Sequence, residues 1–186
     1  GMCFYGDLSY KDAGDYKAMI LVGKIGREFH VLAAYVRKTS RMNVAKWLYD
    51  FVQQNDFLKY NCRYRIEGLF AQDEFVNDFD IEGDERGWYI PVVADKKSKD
   101  GKFDRIESMM GYFERANIWF NDECKESIDF DMLLEQLYAF EKGSGANDDG
   151  PDALQSAIVE VNQITFVTKF EPKTKSRQEL LKDKPN

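Results

Sequence analysis

Asp7, Glu67 and the run Asp148-Asp149-Gly150-Pro151-Asp152 are the residues of this chain best placed to do chemistry. Asp7 interrupts an apolar stretch from Met2 to Leu8 that reads as a first strand. Glu67 closes a second strand-like run, Cys62 to Gly68. The third group opens a helix, with Pro151 in a first turn where its missing N–H costs nothing. Carboxylates remote in sequence, each at the end of an element, are what a fold needs to assemble a magnesium site. Mg²⁺ prefers hard oxygen ligands, keeps several waters, and is held by a few carboxylates together with substrate phosphate. The pattern points to phosphodiester chemistry.

Each acid also has a structural explanation. An Asp inside an apolar run is costly to bury without a cation or partner, which favours a functional Asp7 over one that merely opens a turn. Glu67 could instead pair with Arg63 or Arg65, since strand residues two apart share a face. Asp and Asn at a helix start serve as caps and suit the helix dipole. That accounts for one or two acids of the last cluster, and three within five residues leave surplus charge. His30 falls in an alternating, strand-like run and reads as a packed or edge residue, so no histidine base is expected. Lys96, Lys97, Lys99, Lys102 and Arg105 form the densest basic stretch. It reads either as a solvated loop or as a rim that touches phosphates without reading bases.

The elements that must position these residues alternate. After the first strand, Lys17 to Lys24 and Phe29 to Val36 form a predicted hairpin turning near Gly26. Asn43 is the expected cap of a helix carrying Val44, Trp47, Leu48, Phe51 and Val52. The strand ending at Glu67 follows, then a short helix through Phe75 to Phe79 and a fifth strand from Trp88 to Ala94. Phe103, Ile106, Met110 and Phe113 mark one helix, Asn117 to Phe120 a small extra strand. Phe130 to Phe140 and the segment from the acid cluster through Val161 are the last helices. Three strands followed by helix–strand alternation fit a central sheet with helices on both sides.

At 186 residues the chain suits one domain with its own core. A net charge of −7 argues against a generic nucleic-acid-coating protein, though not against a metal nuclease that concentrates acids at its centre. Cys3, Cys62 and Cys124 are odd in number and widely spaced, so free thiols are expected rather than a disulfide framework or zinc site. Trp47, Trp88 and Trp119 are expected in the core. No apolar run is long enough to cross a bilayer and no signal peptide is evident, so a soluble, cytoplasmic protein is expected. Gly1 before Met2 reads as a tag remnant, and immediate entry into a strand as a piece cut from something longer.

Four stretches carry a family resemblance: Tyr5-Gly6-Asp7-Leu8-Ser9; Ile66-Glu67-Gly68; Asp95-Lys96-Lys97-Ser98-Lys99 through Lys102-Phe103-Asp104-Arg105-Ile106; and Asp148 to Leu154. With Phe113-Glu114-Arg115-Ala116-Asn117-Ile118, they resemble the nuclease domain of the large subunit of tailed-phage terminase, the DNA-packaging motor. The resemblance spans Asp7 to about Val161. It implies an α/β, ribonuclease H-like fold over residues 1–167: a central mixed sheet of five strands or slightly more, with helices on both faces. Residues 168–186 would be a charged tail. The implied activity is metal-dependent endonucleolytic cleavage of double-stranded DNA, leaving 5′-phosphate and 3′-hydroxyl ends.

By the same resemblance, two Mg²⁺ or Mn²⁺ ions would be held by Asp7, Glu67 and Asp149, with Asp152 the next candidate and Asp148 the third. Lys97, Lys99, Lys102 and Arg105 would guide DNA. Asn147 stands where many relatives carry His. The chain has no Gly-x-x-x-x-Gly-Lys-Ser/Thr phosphate loop. An ATPase domain upstream in the parent chain is therefore implied, with the small terminase subunit and the portal as further partners and no membrane. The isolated domain would be a monomer in the host bacterial cytoplasm, encoded by a phage or prophage. Two other readings stay open: another ribonuclease H-like nuclease, such as a junction resolvase or recombinase, and a prophage-derived DNA-binding or motor-docking module with impaired chemistry.

Overall fold

The computed structural model describes residues 1–9, 14–68, 72–96, 101–141, 143 and 145–164. Its centre is β1 (Met2–Leu8), a strand buried on both faces, which is why Met2 to Gly6 reads as a continuous apolar run rather than an alternating one. β1 pairs antiparallel with β2 (Tyr16–Ile25), which turns at Gly26 into β3 (Glu28–Lys38). On its other side β1 pairs in parallel with β4 (Cys62–Glu67), and β4 in parallel with β5 (Val92–Asp95). The short β6 (Ile118–Phe120) joins β3, giving a six-stranded mixed sheet in the order β5-β4-β1-β2-β3-β6.

Alternation along β1 divides the core in two. Phe4 and Leu8 face α1 (Arg41–Gln54) and α2 (Gln72–Arg86), where Val44, Leu48, Phe75 and Phe79 are buried. Cys3 and Tyr5 face the opposite layer: α3 (Lys102–Ser108), α4 (Met110–Glu114), α5 (Ile128–Ala139) and α6 (Asp149–Asn162). α6 lies along β1 and β2 and is buried on nearly every side. This is the expected α/β architecture with helices on both faces, one strand larger than its minimum count.

Several local expectations shift. Ser40, not Asn43, caps α1: Ser40 is extended and its Oγ accepts from the Asn43 N–H at 3.3 Å, while Arg41 and Met42 are already helical. α2 extends well past Phe79 because its acidic second half is tied down. Glu82 is buried and accepts from Arg86 Nε at 2.6 Å. The fifth strand starts only at Val92, since Pro91 offers no N–H to the ladder, and Trp88 instead rests on Tyr49 with ring centroids 4.8 Å apart. The helix expected from Phe103 to Phe113 breaks at Met109 into α3 and α4. Trp119 is half exposed, because in the three-residue β6 it points away from the face that Ile118 buries. Cys3, Cys62 and Cys124 are free thiols, as expected. The region of the expected tail, 168–186, lies outside the described residues. Among the described residues no helix is long and apolar enough to cross a membrane.

Candidate metal centre

The parallel pairing of β1 and β4 decides where the acids meet. With Gly6 opposite Ile66, the next residues along each strand, Asp7 and Glu67, arrive together at the carboxyl-terminal edge of the sheet. Both project on the same face as Tyr5 and Arg65, toward α6. The first turns of α6 come down over this edge and carry Asp152, which is 2 % exposed. One carboxylate oxygen from each of Asp7, Glu67 and Asp152 lies within 4.8 Å of the other two, the only such acidic group among the described residues. Strand end, strand end and helix start thus converge from three distant stretches of sequence.

The register of α6 settles which member of the third cluster enters this group. Asp148 is the residue before the helix, Asp149 its first, and Asp152 one turn further in, on the side that faces β1. Asp152 supplies the converging oxygen. Asp149 stays near enough to Asp7 to disfavour its ionisation. Asp148 points to the Lys102 ammonium at 2.7 Å. Gly150 fixes this turn against α5, its N–H donating to Gln136 Oε1 at 2.9 Å. A Cβ there would approach the same oxygen to 2.9 Å and Leu133 Cδ1 to 3.0 Å, so a larger residue would have to push both side-chain ends aside.

The cations of the site come from α3. Lys102 Nζ lies 2.7 Å from Asp148 Oδ1, 3.5 Å from Asp152 Oδ2 and 3.8 Å from Asp7 Oδ2. Arg105 Nη2 donates to Asp152 Oδ1 at 2.8 Å. These two residues, expected as a DNA-guiding rim, are turned onto the acids. Lys97 and Lys99 lie outside the described residues, and Lys96 is exposed. The alternative for Glu67 is also resolved in part: Arg63 and Arg65 reach Glu160 Oε2 on α6, at 3.4 and 3.5 Å. His30 sits on β3 between Gly23 and Trp119, toward the far end of the sheet.

Electrostatics follow from crowding. Burial holds the Asp7 carboxyl well above the usual carboxylate range. Lys102 pulls it back, and Glu67, Asp152 and Asp149 push it further up. Asp149 is likewise raised by burial. Burial alone would lower the Lys102 ammonium, but Asp7, Asp148 and Asp152 reverse that and hold it above its ordinary value. Among the described residues, five carboxyl groups crowd round Lys102 and Arg105, an arrangement rich in negative charge. Hard oxygen donors with that excess fit a divalent cation.

Two neighbours escaped the sequence reading. Asp95 on β5 lies opposite Glu67 in the ladder, and Tyr5 Oη donates to its Oδ2 at 3.0 Å, reaching across β4. Tyr5 looked like one more apolar residue of the first strand, and only the strand order brings it to Asp95. Lys17, fully buried beside Leu8, donates to Ser9 Oγ and the Asp15 carbonyl, both at 3.3 Å. Its signal was a lysine at the start of an apolar strand.

The mixed sheet flanked by helices, with acids at the joint end of β1 and β4, is a ribonuclease H-like fold. No protein-family model and no curated protein sequence matches the chain. Solved structures do. The human cytomegalovirus terminase nuclease domain superposes with a TM-score of 0.62 at 16 % identity, covering 85 % of this chain and 82 % of that one. The nuclease domain of g2p, the large terminase of bacteriophage SPP1, solved with bound Mn, gives 0.52 at 14 % identity, covering 86 % of each. The bacteriophage HK97 large terminase gives 0.55 at 9 % identity, covering 85 % of this chain and 39 % of its own. The chain has the fold of terminase large-subunit nuclease domains.

Proposed function

We propose that this protein is a divalent-metal-dependent endonuclease that hydrolyses double-stranded DNA as the nuclease unit of a genome-packaging terminase. The observation that carries the reading is the convergence of Asp7, Glu67 and Asp152 within 4.8 Å. The fold it shares with terminase nuclease domains, one of them solved with Mn, is consistent with it.

Asp7, Glu67 and Asp152 would hold the metal, one Mg²⁺ or Mn²⁺ or a pair, with Asp149 and Asp148 as flanking acids. When bound, such ions supply Lewis acidity to the scissile phosphate and its attacking water. The protein's own side chains set the stage for this. Asp7 and Glu67 are fixed by the β1–β4 ladder and Asp152 by the buried α6, so the donor set needs little rearrangement. Arg105 orients Asp152 through its 2.8 Å bond. Lys102 offsets the charge of Asp7, Asp148 and Asp152 and, with a cation held there, would be free to face a phosphate oxygen. Sequence choice would be slight, because these groups contact phosphate and not base edges. Within a terminase, the ATPase domain, the small subunit and the portal would deliver the duplex, and residues 1–167 would form the catalytic unit in the host cytoplasm.

The test is plasmid nicking and linearisation with Mn²⁺, Mg²⁺ or EDTA, beside Asp7→Asn, Asp152→Asn and Asp149→Asn. Metal-dependent cutting abolished by the first two and reduced by the third is expected. A folded protein that binds no metal and cuts under no condition would overturn the reading.

A further inference from the structure

Six of the eight arginines among the described residues, Arg37, Arg41, Arg63, Arg65, Arg86 and Arg105, are paired with carboxylates. The other two, Arg27 and Arg115, make no ion pair, although acids outnumber bases in the chain by seven charges. Both line the same concavity of about 460 Å³. It lies where the β2–β3 turn meets the end of α4, and Lys24, Asn117 and Asn162 complete its polar wall. Lys24 also lacks a carboxylate: its Nζ donates to Asn162 Oδ1 at 2.7 Å and lies 5.8 Å from the Phe29 ring. No Asp or Glu lines the cavity.

Backbone conformation builds this wall deliberately. Gly26 turns the hairpin with φ +60°, presenting Arg27, and nothing lies within 4 Å of where its Cβ would be. Ala116 adopts φ +53°, uncommon for a residue with a Cβ. That turn is pinned by Ala116 N–H to Phe113 O and Asn117 N–H to Tyr112 O, both 2.9 Å, and by Phe29 N–H to Asn117 O at 2.7 Å. It sets Arg115 beside the hairpin. The aromatic floor is largely shielded: Phe29 is buried edge-on against the half-buried Tyr112, with centroids 5.0 Å apart, and lies beneath Lys24 Nζ.

We infer that this concavity is an anion site, separate from the acidic centre, which takes phosphates of a nucleic-acid backbone without reading its bases. Two planar guanidiniums, one ammonium and two amides with no opposing carboxylate match tetrahedral oxyanions with several acceptors. Phe29, buried and covered by Lys24, offers no free face to a nucleobase. The site is distinct from the metal centre. α6 starts at one and ends, at Asn162, beside the other. Along β2, eight residues separate Ala18, the partner of Asp7, from Gly26, roughly 27 Å at about 3.4 Å per residue. Its ligand is thus a stretch of duplex away from the scissile phosphate, which rests on the nuclease reading above for the identity of the nucleic acid.

The test measures binding of a fluorescent 30-base-pair duplex by anisotropy, in EDTA, over a salt series, for the full chain and for Arg27→Gln/Arg115→Gln, with thermal melting as the folding control. The double variant is expected to bind about tenfold more weakly at low salt. Its slope of log affinity against log salt should flatten by about 2, the loss of two phosphate contacts. If the double variant melts early, the single Arg27→Gln, on an exposed turn, should show half that change. Unchanged affinity and slope would overturn the inference. So would displacement by polyglutamate that depends on both arginines while duplex binding does not, which would assign the site to an acidic protein. Metal-dependent plasmid cutting by the same samples separates the two readings. Binding lost in the double variant with a chain that never cuts sinks the nuclease and keeps this site. Cutting with no arginine-dependent binding does the reverse.

Discussion

Replacing Lys102 by methionine keeps the side chain's length and removes its charge from the middle of the acidic centre. The Lys102 ammonium is 3.5 Å from Asp152 Oδ2, and a magnesium–oxygen bond adds roughly 2.1 Å. A dication on that oxygen would lie no more than about 5.6 Å from the ammonium. Because Lys102 is 41 % exposed, a water-like dielectric is the appropriate one, and it gives about 1.5 kcal/mol of repulsion. Lys102→Met should therefore bind Mn²⁺ about tenfold more tightly, measured calorimetrically at pH 8, where protons compete least for the carboxylates. Its metal-free form should melt lower than the wild type, since Asp7, Asp148 and Asp152 would lose the Lys102 ammonium, and the gain in melting temperature on adding Mn²⁺ should be larger. Unchanged or weaker Mn²⁺ affinity in a folded Lys102→Met would refute the reasoning. Lys102 would then act as a partner of the bound state and not as its competitor.

Other expectations follow from the same contacts. Burial raises the Asp7 carboxyl above its ordinary 3.8, so the stability its proton confers is full below 3.8 and is lost as pH rises through the folded value. Thermal melting in EDTA should fall as pH rises across that window, and Asp7→Asn should flatten the fall. At pH 8 Asp7→Asn should also melt higher than the wild type in EDTA, while losing metal-dependent cutting. Asp129→Ala removes a buried carboxylate that accepts from the Val36 N–H at 3.0 Å and from Arg37 Nε and Nη2 at 2.8 and 2.7 Å. A loss of about 2–3 kcal/mol is expected in urea unfolding, because the Val36 N–H is left buried and unsatisfied. Gly150→Ala should weaken Mn²⁺ binding by displacing the ends of Gln136 and Leu133 and tilting the turn that carries Asp152, while a helix-propensity gain of roughly 0.5–1 kcal/mol offsets the overpacking and leaves the melting temperature little changed.

The elements whose periodicity is set by burial were readable: β1, the β2–β3 hairpin, α5 and α6 lie where apolar spacing puts them. The polar half of α2 was not, because Glu82 and Arg86 satisfy each other inside the fold and leave no apolar trace. Asp7 and Glu67 were legible as acids at strand ends. Choosing among Asp148, Asp149 and Asp152 was harder, since all three suit a helix start chemically. The choice depends on which side of α6 faces β1, and that is fixed by packing against β1, β2 and α5. Lys102 and Arg105 read as a solvated or DNA-facing stretch because a charge run carries no sign of what it points at. Asp95 heads the basic run in the sequence, yet its place beside the acids comes only from the register that sets it opposite Glu67.

The acidic centre is a local liability that the rest of the fold must sustain. Its carboxylates are drawn together against their repulsion by elements whose stability lies elsewhere. β1 is anchored by a core on each face, and α6 buries Ala153, Leu154, Ala157, Ile158 and Val161 beneath the acids at its start. The ladder pairs of β1 with β2 and β4 leave Asp7 no freedom to move away from Glu67. Such rigidity is useful only if the missing positive charge arrives from outside, which is why metal binding should both stabilise the protein and switch on its chemistry. The uncompensated arginines at the far end of α6 pose the complementary problem, positive charge without a partner, and a polyanion long enough to span the domain would answer it there while a cation answers the first.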